Sequence, residues 1–96
     1  MNATLYLPDQ PPRAVSTDGL SMLNPATGFA GVPDEVPVLM GCAPDMVDVQ
    51  VCLPDCVAYP VFDYEGPVNY AAMAAVTYDL KYEDAVLCGA VLVVSS

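Results

Sequence analysis

Residues 32–62 read VPDEVPVLMGCAPDMVDVQVCLPDCVAYPVF, and one pattern recurs in them three times. Pro33-Asp34-Glu35-Val36, Pro44-Asp45-Met46-Val47 and Pro54-Asp55-Cys56-Val57 each have the form Pro-Asp-x-Val, at spacings of 11 and 10 residues. Proline pre-sets the backbone angle needed at the second position of a tight turn. Aspartate suits the next position, because its short side chain bonds nearby backbone N–H groups. Valine-rich runs lie between these turns. Short apolar runs cut by turn signals at such intervals point to antiparallel β-structure.

Within this stretch, Val36 to Met40 reads as a strand, with Pro37 removing one ladder donor and so favouring an edge or a strand start. From Met46 to Leu53 the alternation has period two. Val47, Val49, Val51 and Leu53 share one face; Met46, Asp48, Gln50 and Cys52 share the other. β-Branched residues on the apolar face predict a half-buried strand. Leu53-Pro54-Asp55 turns the chain, and Val57 to Tyr64 follows as a strand bent at Pro60.

Downstream, Gly66-Pro67 breaks the chain. Asn69 to Ala75 is ambiguous: Ala71, Ala72, Ala74 and Ala75 favour a helix by propensity, but seven residues are short for one. Alternation returns from Val76 to Glu83, with Val76, Tyr78, Leu80 and Tyr82 set against Thr77, Asp79, Lys81 and Glu83. The last strand is expected from Val86 to Val94, with Gly89 as a bulge. It has no polar face before Ser95, which predicts a central strand or one covered on both sides.

Upstream, Thr4 to Leu7 suits a short strand. Pro8, Pro11, Pro12 and Pro25 then alternate with Gly19, Gly28, Gly31 and small polar residues, and no period survives. We therefore expect residues 1–31 to be a Pro/Gly-rich extended arm or loop, either docked on a neighbouring subunit or wrapped on its own domain. Residues 32–96 are expected to form a compact β-rich domain. The fold expected is mainly β: a small antiparallel β-sandwich or barrel of five to seven strands, with that extended amino-terminal arm and at most one short helix.

Composition narrows the function. Apolar residues make up 55% of the 96 and charged residues 15%, with twelve carboxylates against Arg13 and Lys81 alone, a net charge of −10. Soluble domains average about 25% charged residues, so part of the surface must be neutral or apolar, which usually marks a partner. The acidic balance argues against nucleic acid and anionic lipid, both of which need a basic footprint. The start, MNATLYLPDQ, lacks the basic and apolar regions of a leader, and the longest apolar run, Ala85 to Val94, is too short to span a bilayer. A soluble cytoplasmic protein is expected.

Catalytic chemistry has little to work with. There is no histidine, hence no usual general base and no common metal ligand. The four cysteines, Cys42, Cys52, Cys56 and Cys88, are spaced Cys-x9-Cys-x3-Cys-x31-Cys. Only Cys52 and Cys56 have zinc-like spacing. A Cys52–Cys56 disulfide would close the turn between them, although a cytosolic origin opposes it; otherwise all four are reduced, small apolar residues. The carboxylates gather near turns: Asp45 with Asp48, Asp63 with Glu65, and Asp79, Glu83 and Asp84 beside Lys81. Asp63-Tyr64-Glu65-Gly66 is a fragment of a calcium-loop pattern without the rest of it. No catalytic, cofactor-binding or metal-ligating residue is assigned, no cofactor is expected, and the chain is read as not an enzyme. Six tyrosines, with Tyr78 and Tyr82 on one expected face and Tyr59, Tyr64 and Tyr70 close by, suit either an interface or ordinary sheet packing.

In size, composition and layout, a polar arm followed by a small β-rich domain, the chain resembles the small cement or decoration proteins of tailed-phage capsids. The four cysteines depart from that pattern. The resemblance implies a structural protein binding the major capsid protein and copies of itself. It implies trimers or clusters at capsid symmetry axes, and a place on the virion surface after assembly in the host cytoplasm. The alternative is an acidic inhibitor protein that occupies a basic groove of a host or defence protein, motivated by the charge. A small enzyme or metal-binding module built on the cysteines or carboxylates is the third reading.

Overall fold

The last apolar run of the sequence becomes the middle of the sheet. Strand β5 (Val91–Ser95) has no polar residue before its end, so it can satisfy water on neither face. The fold places it between two other strands and covers both sides. The computed structural model describes residues 2–18, 20, 34–53, 56–61, 66–79 and 86–95. With β1 (Asn2–Tyr6), β2 (Arg13–Ala14), β3 (Gln50–Leu53) and β4 (Cys56–Pro60), β5 forms one sheet in the order β2-β1-β5-β4-β3, antiparallel throughout.

Register sorts the side chains. Ala3 pairs with Val94 and Val94 with Val57; Leu5 pairs with Leu92 and Leu92 with Tyr59. These two rows lie on one face and are buried together with Leu20, Val36 and Met40. One residue out of step, Ala58, Val91 and Val93 face the opposite side, where Ala72, Val76 and Leu87 close over them. Helix α1 (Glu35–Met40) supplies the first cover and helix α2 (Tyr70–Asp79) the second. Each fully buried Val or Leu contributes about 1.5–3 kcal/mol.

The antiparallel, mainly sheet architecture agrees with expectation. The finer architecture differs: among the described residues the sheet is open, and its faces are covered by two α-helices where a second sheet or a closed barrel was expected. Two expected strands are helical. Val36 to Met40 is α1. Pro37 is its third residue, where the N–H would have no intrahelical acceptor, so the ring costs no hydrogen bond there. Gly41, at φ 70°, ends it in the left-handed conformation. The Gly41 N–H donates to Val38 O at 3.2 Å and the Cys42 N–H to Pro37 O at 3.1 Å, which satisfies two terminal carbonyls. Val76, Thr77, Tyr78 and Asp79, expected in a strand, continue the helix that begins at Tyr70. Ala72 and Val76, four apart, form its buried edge. The rest of that expected strand, 80–83, lies outside the described residues.

The long strand expected from Met46 is divided. Pro44–Met46 is a 3-10 turn, Val47 makes an isolated bridge to Val61, and β3 begins only at Gln50, with its register against β4 shifting between Gln50 and Cys52. Such a bulge breaks a strict two-residue alternation. Leu53 stands opposite Cys56 in the ladder; the turn residues between them are outside the described set, as are 62–65.

The amino-terminal residues contribute to the core. β1 is an inner strand, Ala3, Leu5 and Leu20 are buried, and the Val15 N–H donates to Ala3 O at 3.0 Å. Pro8-Asp9 makes the first turn, with Asp9 at φ 59° and the Gln10 N–H donating to Leu7 O. Of the Pro-Asp pairs read first, Pro44-Asp45 opens a 3-10 turn and Asp34 precedes α1 in the right-handed helical region. Of the arm expected over 1–31, residues 21–31 lie outside the described set.

Candidate functional site

Asn69 fixes the position of the element that matters most for a surface. It is 1% exposed and precedes the first turn of α2. Its Oδ1 accepts from the Ala72 N–H at 3.1 Å, as an N-cap should. Its Nδ2 donates to Gly89 O at 2.6 Å and to Tyr6 O at 2.9 Å. One side chain thus ties the helix start, the entry to β5 and the end of β1. The backbone repeats the tie: the Asn69 N–H donates to Leu87 O at 2.7 Å, and the Gly89 N–H to Pro67 O at 3.0 Å. Gly89, at φ 70°, allows that close approach just before β5.

Held this way, α2 turns Ala72 and Val76 inward and Tyr70 and Ala74 outward. Tyr70 is 74% exposed, and Val86, on the adjoining segment before Leu87, is 73% exposed. From Tyr70 to Tyr78 the helix contains no charged residue. Among the described residues, α2 packs its Ala72 and Val76 against the sheet. On the opposite side of the sheet, Val38 of α1 is 72% exposed. It shares its helix face with Asp34 and Glu35, and Asp45 is exposed on the adjacent 3-10 turn.

Among the described residues, those weighed for chemistry do not come together. Cys42 packs with the α1 side of the sheet and Cys56 with the α2 side, so a four-cysteine metal site is impossible. Cys88 sits at the bridge to Val68. Burial pushes the Cys42 thiol above its ordinary pKa, the opposite of an activated nucleophile. Asp48 turns its own backbone, its Oδ1 accepting from the Val49 N–H at 2.8 Å. Among the described residues no three acidic, cysteine or histidine side chains gather as a metal would require. The side chains of Cys52 and Asp79, and residues 63, 65, 83 and 84, are outside the described set. A hollow of about 520 Å³ lies beside β1 and β2, with Asn2, Thr4, Ala14, Ser16 and Thr17 on its walls. Among the described residues no ionisable side chain lines it.

Of the tyrosines that lie close in sequence, the structure separates Tyr59 from Tyr70. Tyr59 is wholly buried on the α1 side, while Tyr70 projects from α2. The role of Asn69 was missed. Its signal was an asparagine directly before an alanine-rich run, which is an N-cap ahead of a good helix former. No helix among the described residues is long and apolar enough to cross a membrane. No family model, curated protein or solved structure matches the chain.

Proposed function

We propose that this chain is a structural or assembly protein that binds other protein subunits, in the manner of a virion cement or decoration protein. The observation that carries the reading is the exposure of Val38, Tyr70 and Val86, each more than 70% open, beside a core packed on both faces of the sheet. Large apolar side chains left outside the packed core are what a subunit presents to neighbours. The role is architectural, not catalytic, and the contacts are made by side chains on the folded domain. The test is sedimentation of the native protein from the cells that produce it. The expected result is migration with a large protein assembly, with release on denaturation of that assembly. Migration at the 10.1 kDa of the free chain overturns it.

A second reading, an acidic inhibitor seated in a basic groove, has one observation in its favour. Asp34, Glu35 and Asp45 are exposed around Val38, and no Lys or Arg occurs between Arg13 and Lys81. Binding to a basic protein would weaken steeply with salt, whereas apolar assembly would not.

A further inference from the structure

We propose that β5 is the latch of this domain: no part of the fold stands until Val91–Ser95 is seated between β1 and β4, so folding waits for synthesis to pass Ser95. The pairing carries the inference. One ladder runs from Asn2↔Ser95 to Tyr6↔Val91, and the other from Cys56↔Ser95 to Pro60↔Val91. Among the described residues no other ladder connects the β1–β2 pair with the β3–β4 pair. Neighbouring strands lie about 4.8 Å apart, so without β5 the edges of β1 and β4 would face each other across about 10 Å, too far to hydrogen-bond. The same loss empties both cores. Leu92 and Val94 belong to the cluster under α1, and Val91 to the cluster under α2.

The pieces that remain are each too small to stand alone. β1 with β2, and β3 with β4, are two-stranded pairs, and an isolated pair of strands is marginal in water. α1 has six residues and α2 ten, below the about 12–15 at which an isolated helix becomes even marginal. The latch also has a bolt. Asn69 Nδ2 donates to Tyr6 O, at the end of β1, and to Gly89 O, just before β5. The start of α2 is therefore fixed by the seam between the first and last strands. That seam joins residues near opposite ends of the sequence. Such a contact forms late, because the loop-closure entropy is met before the contact rewards it. One segment thus switches the whole domain from unfolded to folded, and a chain that has not reached it presents neither Val38 nor Tyr70 on a formed helix. The inference rests on strand pairing alone and holds whatever the finished domain binds.

Ribosome-bound chains test the latch. The full 96-residue sequence, followed by a Gly/Ser linker of graded length and a stalling sequence, is treated with a protease of broad specificity. Chains whose linker leaves any of Val91–Ser95 inside the exit tunnel should be digested throughout. Protection should appear in one step once Ser95 is outside, or only on release. A resistant fragment containing β1 or the β3–β4 pair while β5 is still inside overturns the latch. The released chain gives a second reading. Val93 pairs with Thr4 and Ala58, and Val93→Pro removes a ladder donor from the central strand. It should lose the helical far-ultraviolet signal and protease resistance together. Ala14→Pro, on the edge strand β2, should keep both. A Val93→Pro chain that retains the helical signal or a resistant β3–β4 fragment overturns the latch, as does an Ala14→Pro chain that unfolds just as completely.

Discussion

Replacing Asn69 by alanine removes three hydrogen bonds from a site that is 1% exposed. The Ala72 N–H loses its acceptor, and the carbonyls of Tyr6 and Gly89 lose a donor. Loss of an N-cap costs about 1 kcal/mol. Each neutral hydrogen bond is worth about 0.5–1.5 kcal/mol net. Together these give about 2–4 kcal/mol, against about 5–15 kcal/mol for a whole small domain. Asn69→Ala should therefore fold but melt early, by about 4–8 °C for each kcal/mol. Urea denaturation followed by circular dichroism reads the difference directly. Two further variants separate the parts. Asn69→Ser keeps a capping oxygen and loses only the two donated bonds, so it should fall between wild type and alanine. Asn69→Asp keeps the cap but sets a carboxylate against two carbonyl oxygens, and at neutral pH it should be the worst of the three. Burial raises the folded-state pKa of that carboxyl above its unfolded value. Its neutral form is then favoured by folding, so the deficit relative to wild type at the same pH is least below the unfolded pKa and grows as pH rises through the folded one. An alanine variant within about 0.5 kcal/mol of wild type would refute the tie between helix, β5 and β1.

Leu92 lies in the central strand between Leu5 and Tyr59, and Leu92→Ala should cost about 2–5 kcal/mol by urea melt; a loss below about 1 kcal/mol would mean the row is not packed. Gly41→Ala meets no heavy atom within 4 Å, so its cost is the left-handed backbone alone, about 1–2 kcal/mol, with Gly41→Asn recovering part of it. Because burial raises the Cys42 pKa, alkylation of Cys42 at mildly alkaline pH should run slower in the native than in the urea-unfolded chain, as read by peptide mass spectrometry. The same shift adds stability that is present below the unfolded thiol pKa and lost as pH rises through the folded one.

The strands near the two ends of the chain were legible, and for the last one the physical reason is clear. Val91 to Val94 offers water nothing, so it had to be central. The helices were harder. α1 holds Val36, Val38, Leu39 and Met40 around a proline, and β-branched residues with proline read as an edge strand. What decides for helix is position: Pro37 in a first turn and Gly41 just after the last. α2 was hidden because its residues are apolar on every side, which erases the helical period, and because Val76, Tyr78 and Leu80 mimic alternation. Asn69 announced its start, yet the two carbonyls it reaches lie 63 and 20 residues away in sequence, and no local pattern encodes them. The candidate surface was half visible. Low charge implied exposed apolar groups, but which tyrosine was buried and which exposed depended on the sheet register.

The same register bears on the proposed assembly role. A detached arm over residues 1–31 would dock on a neighbour; a strand at Asn2–Tyr6 between β5 and β2 belongs to the domain and leaves docking to its outer surface. Native-state amide hydrogen exchange of the isolated chain tests this most directly. Protection of the Ala3-to-Leu5 ladder comparable to that of Leu92 to Val94, near the global unfolding limit, is the expected result. Exchange of residues 2–6 at the rate of an unstructured peptide, beside a protected β4–β5 pair, would contradict it.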